Sequence, residues 1–479
     1  MFFKKKQNII FRDYQNFSYI TDNRDYSYLP SNGNNIGDKI LSESGTIFYL
    51  ALKDYPQQIE DIANEIKKSF ANVDTETIVN DAKDFLNSLH MSGFIAAGNT
   101  KQECLDGDKK FSYNILNQEN SEKKYEDENE STIDFFDKHF QGKYQLKSVH
   151  IEIISKCNER CVHCYIPHEN KIAAMEAELF FRIIQQCKEM NVLHLTLSGG
   201  EPMLHKHFSQ FLRKCRHDNF SINILSNLTL LSDDILREMK KKPLLGVQTS
   251  LYSMNPVIHD DITRKKGSFE KTKASILKLI NNNIPLQISC PIMKQNRESY
   301  KGVLDWAKAH RIQIGDDYSI IANYNHSTEN LSCRLSLDEI EAIIKDKINS
   351  SENFSEEQII TKKDPEEFIC SVCNSSICIS ETGNIYPCAG WQGYSIGNIN
   401  TSELDNVWNN SAQVNYLRNL RLRDFPECLK CTQRDFCTMC MVRNSNEDKC
   451  GDPLKVNKFF CDVARIKKQI IVNKIGGVN

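Results

Sequence analysis

The stretch VHIEIISKCNERCVHC, residues 149–164, decides how the rest of the chain is read. Its opening, Val149–Ile154, is rich in β-branched residues and reads as a strand. Directly after it Cys157, Cys161 and Cys164 fall in C-x3-C-x2-C order. Three thiolates on one short loop can hold three irons of a [4Fe–4S] cube, leaving the fourth iron open to a small molecule. The same thiolates could instead bind zinc, with a distant fourth ligand or His163 completing the shell.

Outward from this strand, β-like and α-like segments alternate. Further strands are expected at Leu193–Leu197, Ile222–Leu225, Leu244–Thr249, Leu286–Ile292 and Ile312–Gly315, with amphipathic helices such as Glu178–Glu189 and Phe269–Leu279 between them. Repeated β-then-α units imply a parallel sheet with right-handed crossovers. Six units are too few for a full eight-stranded barrel, so a partial (β/α)6 barrel over 144–340 is expected. In such sheets ligands bind beyond the carboxyl ends of the strands. The cysteine loop follows the first strand, Gly199-Gly200-Glu201-Pro202 the second and Ser226-Asn227 the third, while Thr249-Ser250 ends the fourth. All four project to one face, where the two glycines would let the backbone approach a ligand closely.

The chain holds 18 cysteines, and ten of them crowd the segment from Cys370 to Cys461. The start, MFFKKKQNIIF, lacks a secretory apolar core and cleavage site, so a cytoplasmic protein is expected, where thiols stay reduced. Tight cysteine clusters then read as metal sites. Lone Cys187, Cys215, Cys290 and Cys333 read as small buried hydrophobes, and so does Cys378 in its strand-like stretch. A zinc ribbon is disfavoured, because only five residues separate the C-x2-C pairs 428–431 and 437–440. Residues 1–100 read as a winged-helix-like α+β unit. Short strands are expected around Phe17, Tyr19, Tyr26 and Tyr28, then helices with the stripes Ile59, Ile62, Ala63, Ile66 and Ile78, Ala82, Phe85, Leu89. Asp74 or Thr75 would cap the second helix. Residues 101–143 read as an acidic linker, with a short helix around Phe135 and Phe136, and 341–369 as a charged connector.

Cys157-x3-Cys161-x2-Cys164 followed by Gly199-Gly200-Glu201-Pro202 resembles the radical S-adenosylmethionine superfamily, matching both of its main motifs in order. The resemblance implies that the open iron is chelated by S-adenosylmethionine, whose cleavage yields a 5′-deoxyadenosyl radical. It implies that Gly199, Gly200, Glu201 and Pro202 are cofactor-binding, with Gly200 and Glu201 helping to bind the methionine amino group, that Asn227 and Ser250 contact ribose or carboxylate, and that Arg264 reaches the carboxylate. The C-terminal cysteines, with Ile385-Tyr386-Pro387-Cys388 and Ile396-Gly397-Asn398-Ile399, resemble a SPASM domain. That likeness implies two auxiliary [4Fe–4S] clusters in residues 370–479. One set is Cys370, Cys373, Cys388 and Cys440; the other is Cys428, Cys431, Cys437 and Cys461, with Cys450 as an alternative to Cys461. Thr438-Met439 stands where that family usually has Gly-Gly. Residues 1–100 resemble the recognition element of enzymes that modify ribosomally made peptides, which takes up a leader as an added strand. An ordinary winged-helix or dimerisation module is the other reading.

Together these parts look like a sactipeptide or ranthipeptide maturase, joining a cysteine sulfur to carbon in a precursor peptide. A flavodoxin or ferredoxin would donate electrons. Auxiliary clusters favour net oxidation, because closing a bond from a substrate radical requires removal of a second electron. A carbon–carbon cross-linker and a formylglycine-forming sulfatase maturase are rivals of the same class, and a zinc-binding winged-helix regulator is a rival of another. No catalytic acid or base is visible. With 60 basic and 63 acidic residues, net −3, the chain offers no electrostatic footprint for nucleic acid. No apolar run is long enough to span a bilayer.

Overall fold

The computed structural model describes residues 1–22, 37–108, 132–141, 143–241, 245–350, 364–370 and 372–476. Tyr26, Tyr28, Leu244 and most of the acidic stretch lie outside them.

The amino-terminal unit opens with β1 (Phe2–Lys5), β2 (Ile10–Asp13), β3 (Ser18–Thr21) and β4 (Asp38–Leu41). Helix α1 (Glu43–Ala51), β5 (Gln57–Gln58), α2 (Ile59–Lys67), α3 (Thr75–Met91) and β6 (Ile95–Gly98) follow. The strands form two antiparallel three-stranded sheets, ordered β5-β1-β6 and β2-β3-β4. Ile62, Ala63 and Ile66 of α2 and Ile78, Ala82, Leu86 and Leu89 of α3 are buried, one apolar stripe each. The Asp74 side chain caps α3 by accepting from Thr77 N. The expected linker begins instead with a helix, α4 (Lys101–Asp106), because Thr100 and Glu103 form a reciprocal capping box. Helix α5 (Thr132–His139) covers the expected Phe135–Phe136 site, and Phe135 and Phe136 pack edge-on against Phe17.

Six parallel strands follow: β7 (Ser148–Ile154), β8 (His194–Gly199), β9 (Ser221–Leu225), β10 (Leu245–Ser250), β11 (Leu286–Ser289) and β12 (Gln313–Gly315). Helices α6 (Ala177–Glu189), α7 (Phe208–His217), α8 (Asp233–Lys240), α9 (Pro256–Thr263), α10 (Ser268–Asn281) and α11 (Tyr300–Ala309) intervene. The strands alternate. Val149, Ile151, Leu195, Leu197, Ile222, Ile224, Val247 and Ile288 share one core with Phe180, Ile183 and Phe211 of the helices. The alternate positions are His150, Glu152, Thr196, Ser198, Asn223, Gln248 and Gln287. Strands buried on both faces read as nearly continuous apolar runs, so this alternation gives the sheet a polar face turned away from the helices.

Two boundaries differ from the sequence reading. Residues 337–350 form helix α12 (Leu337–Ser350) across the expected domain end at 340, because Ile340, Ile343, Ile344 and Ile348 make a buried stripe among the charges. The sheet also does not stop at β7. Strand β13 (Ser376–Ile379) pairs parallel with β7, and β14 (Asn384–Tyr386) and β15 (Gly397–Asn398) extend it to nine strands. The cysteine-rich segment is thus built onto the edge of the α/β unit and shares its core through Trp391 and Trp408. It is completed by α13 (Leu404–Asn410), α14 (Ala412–Asn419), α15 (Pro426–Leu429), α16 (Met441–Glu447) and α17 (Lys458–Gly476). No helix among the described residues is long and apolar enough to cross a membrane.

Arg12 joins the amino-terminal unit to the sheet. Its buried guanidinium donates to Val192 O at 3.0 and 2.7 Å and to Asn219 O at 3.1 Å, and it lies over the Phe220 ring. These carbonyls precede β8 and β9, so the unit docks at the amino ends of the strands. Arg12→Ala strips buried carbonyls of their donor, at a cost of about 1–3 kcal/mol. A lower melting temperature and faster proteolytic release of the amino-terminal unit are the expected result; unchanged proteolysis would show that other contacts hold it.

Candidate active site

The loop after β7 is held from two sides. Arg160 N donates to Thr263 O at 3.0 Å and Val162 N to Ile262 O at 2.9 Å, at the end of α9. From the β8 side, Gly200 N reaches Ile154 O at 2.7 Å and Glu201 N reaches Lys156 O at 2.9 Å. A Cβ on Gly199 would stand 1.9 Å from Ile154 O, and one on Gly200 would stand 2.2 Å from Lys156 O. The two glycines therefore admit the cysteine loop's own backbone, not only a ligand.

Glu201 is fully buried. Its carboxylate accepts from Met203 N (2.9 Å), Ser226 Oγ (2.8 Å) and Asn227 N (2.8 Å), tying the β8 exit to the β9 exit. Burial pushes its pKa up to about 7 against the pull of these donors. Pro202 starts a single 3-10 turn here. Asn227 Nδ2 donates to Asn158 Oδ1 at 2.9 Å, inside the cysteine loop, and Asn158 Nδ2 donates to Thr229 Oγ1 at 2.7 Å. Asn227 thus braces the cysteine loop as well as lying at the expected face. Ser250 ends β10 beside Tyr252, to which it is hydrogen bonded. Arg264 takes a left-handed conformation (φ 55°) as the cap of α9. It lines a cavity of about 580 Å³ together with Cys161, Cys164, His168, Asn323 and Asn330. Gly200, Glu201 and Asn227 are thus tied to the cysteine loop and Arg264 shares a cavity with two of its cysteines, while Gly199–Pro202, Asn227 and Ser250 do not line that cavity.

Sequence reasoning missed Asn158, Thr229, Lys171 and Tyr165. Lys171 hydrogen bonds Cys164, and against the lowering effect of burial the thiolate charges of Cys164 and Cys157 hold its ammonium above the usual pKa. Tyr165 follows Cys164 in the chain, and its hydroxyl donates to Glu152 at 3.3 Å. No periodicity marks such loop residues; only their position beside the cysteines could have suggested them.

The carboxy-terminal thiols fall into two neighbourhoods. Burial pushes the Cys388 thiol up to about 12, and Cys440, Cys370 and Cys373 lie near enough to add to the shift. Cys461, Cys437 and Cys431 surround Cys428. Cys373 is buried in a left-handed conformation (φ 59°), its carbonyl accepting from Arg418 Nε at 2.6 Å. Cys450 is exposed, whereas Cys461 lines a small cavity with Cys428, Cys431, Cys437 and also Cys440. Met439, of the Thr438-Met439 pair, sets its sulfur 3.6 Å from that of Cys428.

Ligand atoms around one tetrahedral zinc stand ~3.8 Å apart for sulfur. Among the described residues the one trio of His, Cys, Asp or Glu atoms within 4.8 Å of one another is His150, Glu152 and Cys378, on β7 and β13. The three loop cysteines and both carboxy-terminal sets are spread more widely. That spacing suits thiolates bound to different irons of a cluster. His163 lies outside that trio, and its buried ring meets the Tyr252 hydroxyl at 3.4 Å through Nε2.

Residues 151–307 match the radical SAM superfamily, and residues 370–432 match the SPASM iron–sulfur cluster-binding domain. The chain is 26% identical over 311 residues to the antilisterial bacteriocin subtilosin biosynthesis protein AlbA of Bacillus subtilis, covering 62% of this chain and 68% of that one. It is 27% identical over 175 residues to the PqqA peptide cyclase of Xanthomonas campestris, covering 35% and 46%. Streptococcus suis SuiB bound to its precursor peptide SuiA shares the fold, with a TM-score of 0.57 and 16% identity over 96% of this chain and 100% of that one. Residues 151–307 thus carry a radical S-adenosylmethionine domain and residues 370–432 a SPASM iron–sulfur domain, the two joined in one sheet through β7 and β13.

Proposed function

We propose that the protein is a peptide maturase that abstracts hydrogen from a ribosomally made precursor and installs an oxidative cross-link, a cysteine thioether. The observation that carries this reading is the joining of the two cysteine regions in one sheet: β13 of the cysteine-rich segment pairs directly with β7, whose end leads into the three-cysteine loop. A substrate oxidised between two such centres stays within reach of both. The relatives add support, since one is named for bacteriocin biosynthesis and another as a peptide cyclase, and SuiB holds a precursor peptide.

When bound, S-adenosylmethionine and three [4Fe–4S] clusters supply the radical and the acceptor for the electron left on the substrate. Cys157, Cys161 and Cys164 would hold the first cluster, with Lys171 offsetting thiolate charge. Cys370, Cys373, Cys388 and Cys440 would hold the second, and Cys428, Cys431, Cys437 and Cys461 the third. Gly199–Pro202, Asn227, Ser250 and Arg264 would line the S-adenosylmethionine site. A flavodoxin or ferredoxin would supply electrons. Residues 1–100 would bind the leader, through winged-helix-like α1–α3 and the edge strands of the two small sheets. Because Arg12 seats this unit at the amino ends of the strands, the core segment would run about 20 Å, some six extended residues, to reach the cavity.

Two measurements test the reading. The reconstituted, reduced enzyme should release 5′-deoxyadenosine, and a precursor peptide should lose two hydrogens and its free thiol. Loss of hydrogen with the thiol still alkylatable would favour the carbon–carbon cross-linker, and conversion of cysteine to formylglycine the sulfatase-type maturase. Cys373→Ala should lower iron content yet leave S-adenosylmethionine cleavage intact, while Cys450→Ala should change neither. Cleavage lost with the first cluster still assembled would contradict the assignment of Cys373.

A further inference from the structure

The polar face of the sheet carries a second donor set that the radical site does not use. His150 and Glu152 lie two residues apart on β7 and so share one face. Strand β13 sets Cys378 directly beside His150 in the parallel register. One ligand atom from each lies within 4.8 Å of the other two. Glu152 and Cys378 are almost completely buried. We propose that His150, Glu152 and Cys378 form a mononuclear site for a divalent cation of the zinc or ferrous class.

Three observations support it. Donor chemistry comes first: nitrogen, oxygen and sulfur together exclude magnesium and calcium, which take all-oxygen shells, and suit zinc or iron(II). The surrounding hydrogen bonds come second. Tyr165 OH and Gln392 Nε2 donate one to each carboxylate oxygen of Glu152, and Ser198 Oγ pairs with His150 Nε2. Partners of this kind hold a carboxylate and an imidazole in a ligating pose. Charge comes third. A dication that displaced the thiol and carboxyl protons would leave the buried site neutral overall, which offsets the cost of burying a thiolate and a carboxylate. Three protein ligands leave a fourth position for water or a further ligand, as in catalytic rather than structural zinc sites. The site stands independently of the peptide-maturase reading.

The test is metal content of the full-length protein, reconstituted anaerobically with iron and sulfide, dialysed against micromolar zinc and desalted. Zinc and iron per chain are measured for wild type, Cys378→Ser, Glu152→Gln and, as a control, Cys290→Ser, a buried thiol at the end of β11 that donates to Tyr252 O. One zinc per chain is expected in wild type and in Cys290→Ser. Both site variants should bind it at least about tenfold more weakly with iron unchanged. Zinc absorption fine structure should show one sulfur among nitrogen and oxygen ligands. Zinc that fails to bind, zinc retained in both site variants, or an all-sulfur shell overturns the proposal. Iron lost in Cys378→Ser also overturns it, because that result assigns the thiol to the neighbouring Cys388 cluster.

Discussion

Cys157→Ala is expected to bring 5′-deoxyadenosine release down to the background of an unreduced sample and to remove about four irons per chain. Cys388→Ala is expected to lose a similar amount of iron while cleavage persists. The contrast follows from where the two thiols sit. Cys157 stands on the loop whose backbone is locked to Gly200 and Glu201 and to the end of α9, beside the expected S-adenosylmethionine contacts. Cys388 follows β14 and is surrounded by Cys440, Cys370 and Cys373. Removing one of three thiolates from the first loop leaves an iron without a protein ligand, and the short loop has no spare cysteine to replace it. Iron analysis, electron paramagnetic resonance of the reduced protein and mass-spectrometric assay of 5′-deoxyadenosine read both variants. Cleavage lost equally in both, with the first cluster's signal intact in Cys388→Ala, would mean that the two groups do not act separately.

The sequence made those two groups visible because each cysteine run carries its own local spacing. The parallel strands were legible for a similar reason: each is an apolar run flanked by an amphipathic helix, and β7 to β12 lie within a few residues of where the pattern put them. What escaped depends on pairing between distant segments. Cys378 reads as packing in a short strand, and nothing local reveals that β13 lies against β7, some 230 residues earlier. Glu201 reads as a ligand-facing carboxylate, and only the folded chain shows its oxygens occupied by Ser226, Asn227 and Met203. Charge misled at α4 and α12, where a capping box and an isoleucine stripe outweigh the acidic and basic residues around them. His150 and Glu152 do alternate strictly with Val149, Ile151 and Ile153, a local mark of a one-sided polar face in a strand otherwise suited to a fully buried sheet.

Gly199→Ala should be strongly destabilising and should disturb the cysteine loop as well. Gly199 has φ +136°, a region L-residues seldom enter, at a cost of about 1–3 kcal/mol. The added carbon would also stand 1.9 Å from Ile154 O, so β7 or β8 must move. The register between these strands already shifts at Glu152/Ile154 to bring Ile154 opposite Gly199, and Ile154 O accepts from Gly200 N. A displacement there breaks the contact that sets the cysteine loop on its neighbour, so stability and cluster retention should fall together. Gly267→Ala separates the two contributions, because Gly267 also has positive φ (+79°) but nothing lies within 4 Å of its Cβ position. That variant should lose roughly 1–2 kcal/mol and keep its iron. Thermal melting and iron content after desalting measure both. A Gly199→Ala protein that melts like Gly267→Ala and retains iron at the first site would show that the strands yield at little cost and that the close approach of β8 to the cysteine loop does not hold it in place.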